Sequence, residues 1–123
     1  MRDALRAHGA LARGAFAVAV LLSISVLFAP PSDVPSAPPG EDKLVHASLF
    51  GLLALTGRWA GVSRAVLAAV LVLYGAASEA IQGLIGRDAA VGDLLADVVG
   101  VLVGLVAWQW IARRAASGPD GLA

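Results

Sequence analysis

The sequence predicts an all-α, polytopic membrane protein: a bundle of four transmembrane helices with its N and C termini in the cytoplasm. Three observations lead there. Apolar residues make up 59% of the 123 residues and charged residues only 15%, a balance in which lipid rather than water must solvate most of the surface. The apolar residues gather into four stretches parted by short polar or proline-rich segments. Lys and Arg are also distributed unevenly across those segments, as the positive-inside rule requires of a chain with a fixed orientation.

The first stretch, 11–29, follows a start that carries Arg2, Arg6 and Arg13. Lipid supplies no partner for a backbone amide, so a spanning segment must be helical. A basic start before an apolar run also describes a signal peptide. Here Pro30 would follow the cleavage site, which disfavours that account, although Ser36–Ala37 offers another place for it. Segment 30–40 holds five prolines and reads as an extended exoplasmic linker. The second helix, 43–58, is the shortest and depends on Lys43 and Arg58 reaching the interfaces with their long side chains. The third and fourth, 65–85 and 91–112, are uninterrupted, and the short loop between them makes them antiparallel neighbours. A chain of this length has room for a single domain, 1–123.

Seven of the nine basic residues (Arg2, Arg6, Arg13, Arg58, Arg64, Arg113 and Arg114) fall on one side of this topology, and Lys43 and Arg87 on the other. The richer side is cytoplasmic, in a cell's inner membrane. Trp59, Trp108 and Trp110 all fall at the same interface, where an indole buries its ring and wets its N–H. The formal charge is zero and the basic residues are scattered, which excludes a nucleic-acid partner. With no cysteine, disulfides and thiolate metal sites are excluded too.

Small residues spaced four apart let helix backbones approach closely. Gly100 and Gly104 form a GxxxG on the fourth helix; Ala76 with Ala80 and Ala15 with Ala19 repeat the spacing, although an Ala- and Gly-rich chain produces such pairs by chance.

The remaining polar residues all fall in the exoplasmic half. Asp42, Lys43 and His46 open the second helix, Glu79 and Gln82 close the third, Arg87 lies in the loop, and Asp93 and Asp97 open the fourth. At a rise of about 1.5 Å per residue, Glu79 and Asp97 each sit roughly 9 Å from a helix end, at matching depth. Residues three or four apart share a helix face, so Asp93, Asp97, Gly100 and Gly104 form one stripe directed into the bundle. A charge at mid-membrane costs about 2.5–3.5 kcal/mol on the insertion scale, and these carboxyls therefore call for protons, for pairing with Lys43 or Arg87, for water or for a bound cation. Plainer accounts exist: an interhelical clamp for Glu79 and Gln82, a helix cap or dipole partner for Asp93, a structural histidine for His46, and interfacial anchors for Lys43 and Arg87.

Together these residues resemble the VanZ-like family of small bacterial membrane proteins. The resemblance rests on Asp42-Lys43-Leu44-Val45-His46, on Ser78-Glu79-Ala80-Ile81-Gln82 followed by Gly86-Arg87, and on Asp93-Leu94-Leu95-Ala96-Asp97 running into Gly100 and Gly104. It covers roughly 42–104, half of the chain. Many members carry Asn where this chain has Asp97, which adds a carboxyl to the constellation.

The resemblance implies a role at the bacterial cell envelope and reduced susceptibility to the lipoglycopeptide teicoplanin. The partners would then be membrane lipid and either the drug itself or a lipid-linked cell-wall precursor. An enzyme is the alternative: His46, Glu79, Asp93 and Asp97 would hold a divalent cation against a lipid-linked phosphate, and Lys43 and Arg87 would steady the anion. No nucleophile motif, phosphate-cradling glycine loop or HExxH supports that alternative. An ion pathway is disfavoured because the cytoplasmic halves of the helices carry no charge.

Overall fold

The computed structural model describes residues 9–28, 41–84 and 91–116. The expected proline-rich linker 30–40 and Arg87 lie outside the described residues, as does the side chain of Asp42. The described residues form four helices: α1 (Ala10–Leu27), α2 (Glu41–Trp59), α3 (Arg64–Leu84) and α4 (Val91–Ala116). Their bounds match the expected spans to within two residues except at the end of α4. There the helix runs four residues past 112 and takes Arg113 and Arg114 into its last turn. Cations at that position complement the helix dipole, and the Arg114 guanidinium also sits 4.6 Å above the Trp110 ring.

The turn from α2 to α3 can be read residue by residue. Gly61 adopts φ 98°, the left-handed conformation that favours glycine. The Val62 amide donates to the Gly57 carbonyl and the Gly61 amide to the Arg58 carbonyl, each at 3.0 Å, which is the Schellman pairing that closes a helix C-terminus. Arg58 Nη1 then donates to the Val62 carbonyl at 2.8 Å, and Ser63 Oγ accepts from the Val66 amide to cap α3.

Three helices, α1, α3 and α4, are long and apolar enough to cross a membrane, and the chain is a membrane protein. Among the described residues α2 is not one of these, because Glu41, Asp42, Lys43, His46 and Arg58 interrupt its apolar character. The structure supplies the reason. Helix α2 packs most extensively on α4 and also meets α1 and α3. Phe50, Leu53 and Ala54 are at most 1% exposed. A helix packed on three others has less surface to match to lipid. Leu44, Val45 and Leu52 of α2 are still exposed, as are Leu73, Leu102, Val103 and Val106 on its partners, as a lipid solvent demands.

Close packing of α2 on α4 depends on glycine. A Cβ at Gly100 would run into the backbone of Ala47, and one at Gly104 into the Gly51 carbonyl. Gly51 is less tight, 3.3 Å from a Cβ position to the Gly100 carbonyl. The GxxxG stripe is therefore a helix–helix contact surface. Ala76 and Ala80 are exposed, so their spacing marks no contact between the described helices, whereas Ala19 on α1 is buried in the core.

Candidate functional site

At one end of the bundle three helices bring ionisable side chains together. His46 enters from the second turn of α2, Glu79 from the last turns of α3, and Asp93 and Asp97 from the first two turns of α4. His46 and Asp93 are each 3% exposed and Asp97 is fully buried. The i, i+4 spacing of Asp93 and Asp97 aims both at α2, along the stripe that Gly100 and Gly104 continue.

His46 Nδ1 and Asp97 Oδ1 are 2.7 Å apart. The two groups share a hydrogen bond across this contact, and it orients the ring. The other ring nitrogen, Nε2, lies 3.9 Å from Asp93 Oδ2. Donor atoms of His46, Glu79 and Asp93 all fall within 4.8 Å of one another, an arrangement that can hold a metal ion. The second Asp97 oxygen, Oδ2, is buried with no hydrogen-bond partner and turns toward α3, 2.9 Å from where a Gly75 Cβ would lie. Gly75 thereby makes room for a carboxylate on the neighbouring helix, a role no sequence spacing announced.

Lys43 stands at the rim. Its Nζ lies 3.4 Å from Asp93 Oδ1, and its side chain is half exposed whereas that of Asp93 is buried. Its aliphatic stem passes over Gly92, where a Cβ would come within 2.8 Å of Lys43 Cε. The geometry thus gives Asp93 two polar neighbours on α2, Lys43 and His46, in addition to its place in the first turn of α4.

Glu79 and Gln82, one turn apart on α3, serve different neighbours. Glu79 belongs to the cluster and shares a set of donor atoms with His46 and Asp93, while Asp97 lies outside that set. Gln82 turns to α1 instead. Its Nε2 donates to the Leu27 carbonyl at 2.8 Å, which satisfies a backbone group at the C-terminus of α1. A second polar tie between α1 and α3 has no counterpart in the sequence reading: the fully buried Ser23 Oγ is 2.9 Å from the Tyr74 hydroxyl. The Tyr74 ring leans on Phe50 and Phe28 at centroid distances of 5.6 and 6.3 Å. Tyr74 is the one aromatic residue of α3, but its spacing in the sequence does not point to Ser23.

The other end of the bundle has a different character. Arg58, Arg64, Trp108, Gln109 and Arg113 line a shallow groove there, and Trp59 and Trp110 flank it in sequence. What the fold and site define is therefore a helical membrane protein with a buried acidic–imidazole cluster at one end and an Arg/Trp rim at the other. No known protein family, characterised protein or solved structure matches the chain.

Proposed function

We propose that this chain is a VanZ-like protein of the bacterial cytoplasmic membrane that lowers susceptibility to teicoplanin through the polar cluster of Lys43, His46, Glu79, Asp93 and Asp97, held on the exoplasmic side. One observation carries the reading. The residues on which the resemblance rests come from three separate segments, 42–46, 78–82 and 93–97, and side chains from all three meet in one cluster. Residues that merely anchored helices at an interface would not need to converge. In this reading the cluster recognises either the glycopeptide or a lipid-linked cell-wall precursor. The Arg/Trp rim faces the cytoplasm, so both termini are cytoplasmic.

Susceptibility to teicoplanin and vancomycin tests it in a sensitive host carrying empty vector, wild type or Glu79→Gln, with membrane levels of both proteins measured. Wild type should protect against teicoplanin and Glu79→Gln should not, at equal levels. Protection no better than empty vector would end the reading. The orientation has its own check: a fluorescent protein that matures only in the cytoplasm, fused after Ala123, should fluoresce.

A further inference from the structure

We infer that His46, Glu79 and Asp93 form a binding site for a single divalent transition-metal cation, of which Zn²⁺ is the best fit, with Asp97 as the residue that positions His46. The inference goes beyond the antibiotic reading and stands or falls separately from it.

Four observations converge on it. The first is the donor set: one imidazole and two carboxylates from three different helices, with their donor atoms within 4.8 Å of one another. Zinc bonds of about 2.0–2.2 Å would place tetrahedral ligands about 3.3 Å apart. The His46 Nε2 to Asp93 Oδ2 distance of 3.9 Å therefore needs only a small side-chain adjustment to close on an ion.

The second is the tautomer. Asp97 occupies Nδ1 and thereby leaves Nε2 directed toward Asp93. A histidine that ligates a metal through one nitrogen almost always has the other held by a carboxylate or carbonyl, which fixes the ring and raises its basicity as a ligand. The third is Asp97 Oδ2, a fully buried oxygen with no hydrogen-bond partner, turned toward α3 beside Gly75. Three acidic residues and an imidazole in so little space make the region electron-rich, and a divalent cation offsets that at lower cost than burying each charge alone.

The fourth is Lys43. Its ammonium contacts Asp93 from a half-exposed position, so it can withdraw to solvent when a cation takes its place. A mixed nitrogen and oxygen set selects a first-row transition cation over Mg²⁺ or Ca²⁺, which prefer oxygen alone. Three protein ligands leave a fourth position open.

The test uses the full chain, purified in detergent, stripped with a chelator and then offered Zn²⁺ or Co²⁺ alone. Metal retained after desalting is counted by elemental mass spectrometry, the Co²⁺ visible spectrum reports coordination, and circular dichroism confirms helicity and follows thermal unfolding. Wild type should retain one ion per chain and melt at a higher temperature with it. Glu79→Gln and Asp93→Asn should each weaken binding at least tenfold, and the double variant should retain none. Asp97→Ala should weaken it about 10- to 100-fold, as loss of an outer-shell partner does. Asp97→Asn, whose amide oxygen still accepts from Nδ1–H, should weaken it less. Ser25→Ala, on the exposed side of α1, should bind as wild type does. A folded wild-type chain that retains no metal, or a double variant that binds as well as wild type, overturns the inference. Neither host nor drug enters this assay, so its failure cannot be confused with failure of the susceptibility test.

Discussion

Along the contact between α2 and α4, two stretches one helical turn apart are built on opposite principles. At Ala47 and Gly51, α2 meets Gly100 and Gly104 backbone against backbone, and at Ala54 only a methyl group stands against Gly104. At Lys43 and His46 the same two helices are linked by long polar side chains reaching Asp93 and Asp97. The first stretch sets the distance between the helices, and dispersion across that close contact holds them, since lipid tails are as apolar as any side chain and give no hydrophobic drive. The second sets register: the 2.7 Å hydrogen bond from His46 to Asp97 would be lost if either helix slid by a turn. Proximity comes from what is missing, and specificity from what is charged. Because the stretches adjoin, the glycines also determine how closely the cluster closes.

The largest effect that could break this comparison is expected at Gly100. In Gly100→Ala the new methyl lies on the main chain of Ala47, which cannot rotate away, so the helices must part. A loss of about 3 kcal/mol is expected from thermal or denaturant unfolding in detergent, the upper range for overpacking. A loss under about 1 kcal/mol would mean that the backbone contact is not what sets the spacing. Next comes Asp97. Replacement by Ala strands the His46 N–H in a buried site, at a cost of about 1–3 kcal/mol, whereas Asn keeps an acceptor and should cost less than half as much. Equal losses for Ala and Asn would show that charge, not the hydrogen bond, matters there.

Gly14 sharpens the comparison from the other side. It lies within α1 with open space around its Cβ position, so Gly14→Ala should raise stability by about 0.4–1 kcal/mol in the same assay. Two glycine-to-alanine changes of opposite sign would separate close approach from helix propensity. The smallest effect is expected at Gln82. Gln82→Met removes the donor to the Leu27 carbonyl and should cost about 0.6 kcal/mol, an average interhelical hydrogen bond in a membrane protein. The local readout is faster amide exchange at the end of α1 with little change at α4.

The helices were legible because apolar runs and basic flanks are long-range signals that survive any packing arrangement. Their ends came within two residues except in α4, where Arg113 and Arg114 read as loop residues but continue the helix with their charges at its C-terminal pole. The small-residue spacing was informative at Gly100 and Gly104 and empty at Ala76 and Ala80, because spacing gives a shared face without saying what that face meets. Depth counting put Glu79 and Asp97 at the same level but could not say which donors meet: the structure gathers Glu79 with His46 and Asp93 and sets Asp97 against His46 Nδ1. Gly51 and Gly75 carried no motif, and their roles depend on partners in other helices. Nothing in a one-dimensional pattern marks Ser23 as the neighbour of Tyr74, 51 residues away.

The central position of α2 has a consequence for how the protein is made. The helix most enclosed in the finished bundle is also the one too polar to count among the three candidate spans, and its most extensive partner, α4, is synthesised more than thirty residues later. Until α4 emerges, Lys43 and His46 lack Asp93 and Asp97, and the face holding Ala47 and Gly51 has nothing to close on. Helix α2 therefore gains its polar and its close-packed partners only when α4 is in place. Because α4 supplies Asp93 and Asp97 together with Gly100 and Gly104, assembly of the polar cluster and close packing of α2 are one event.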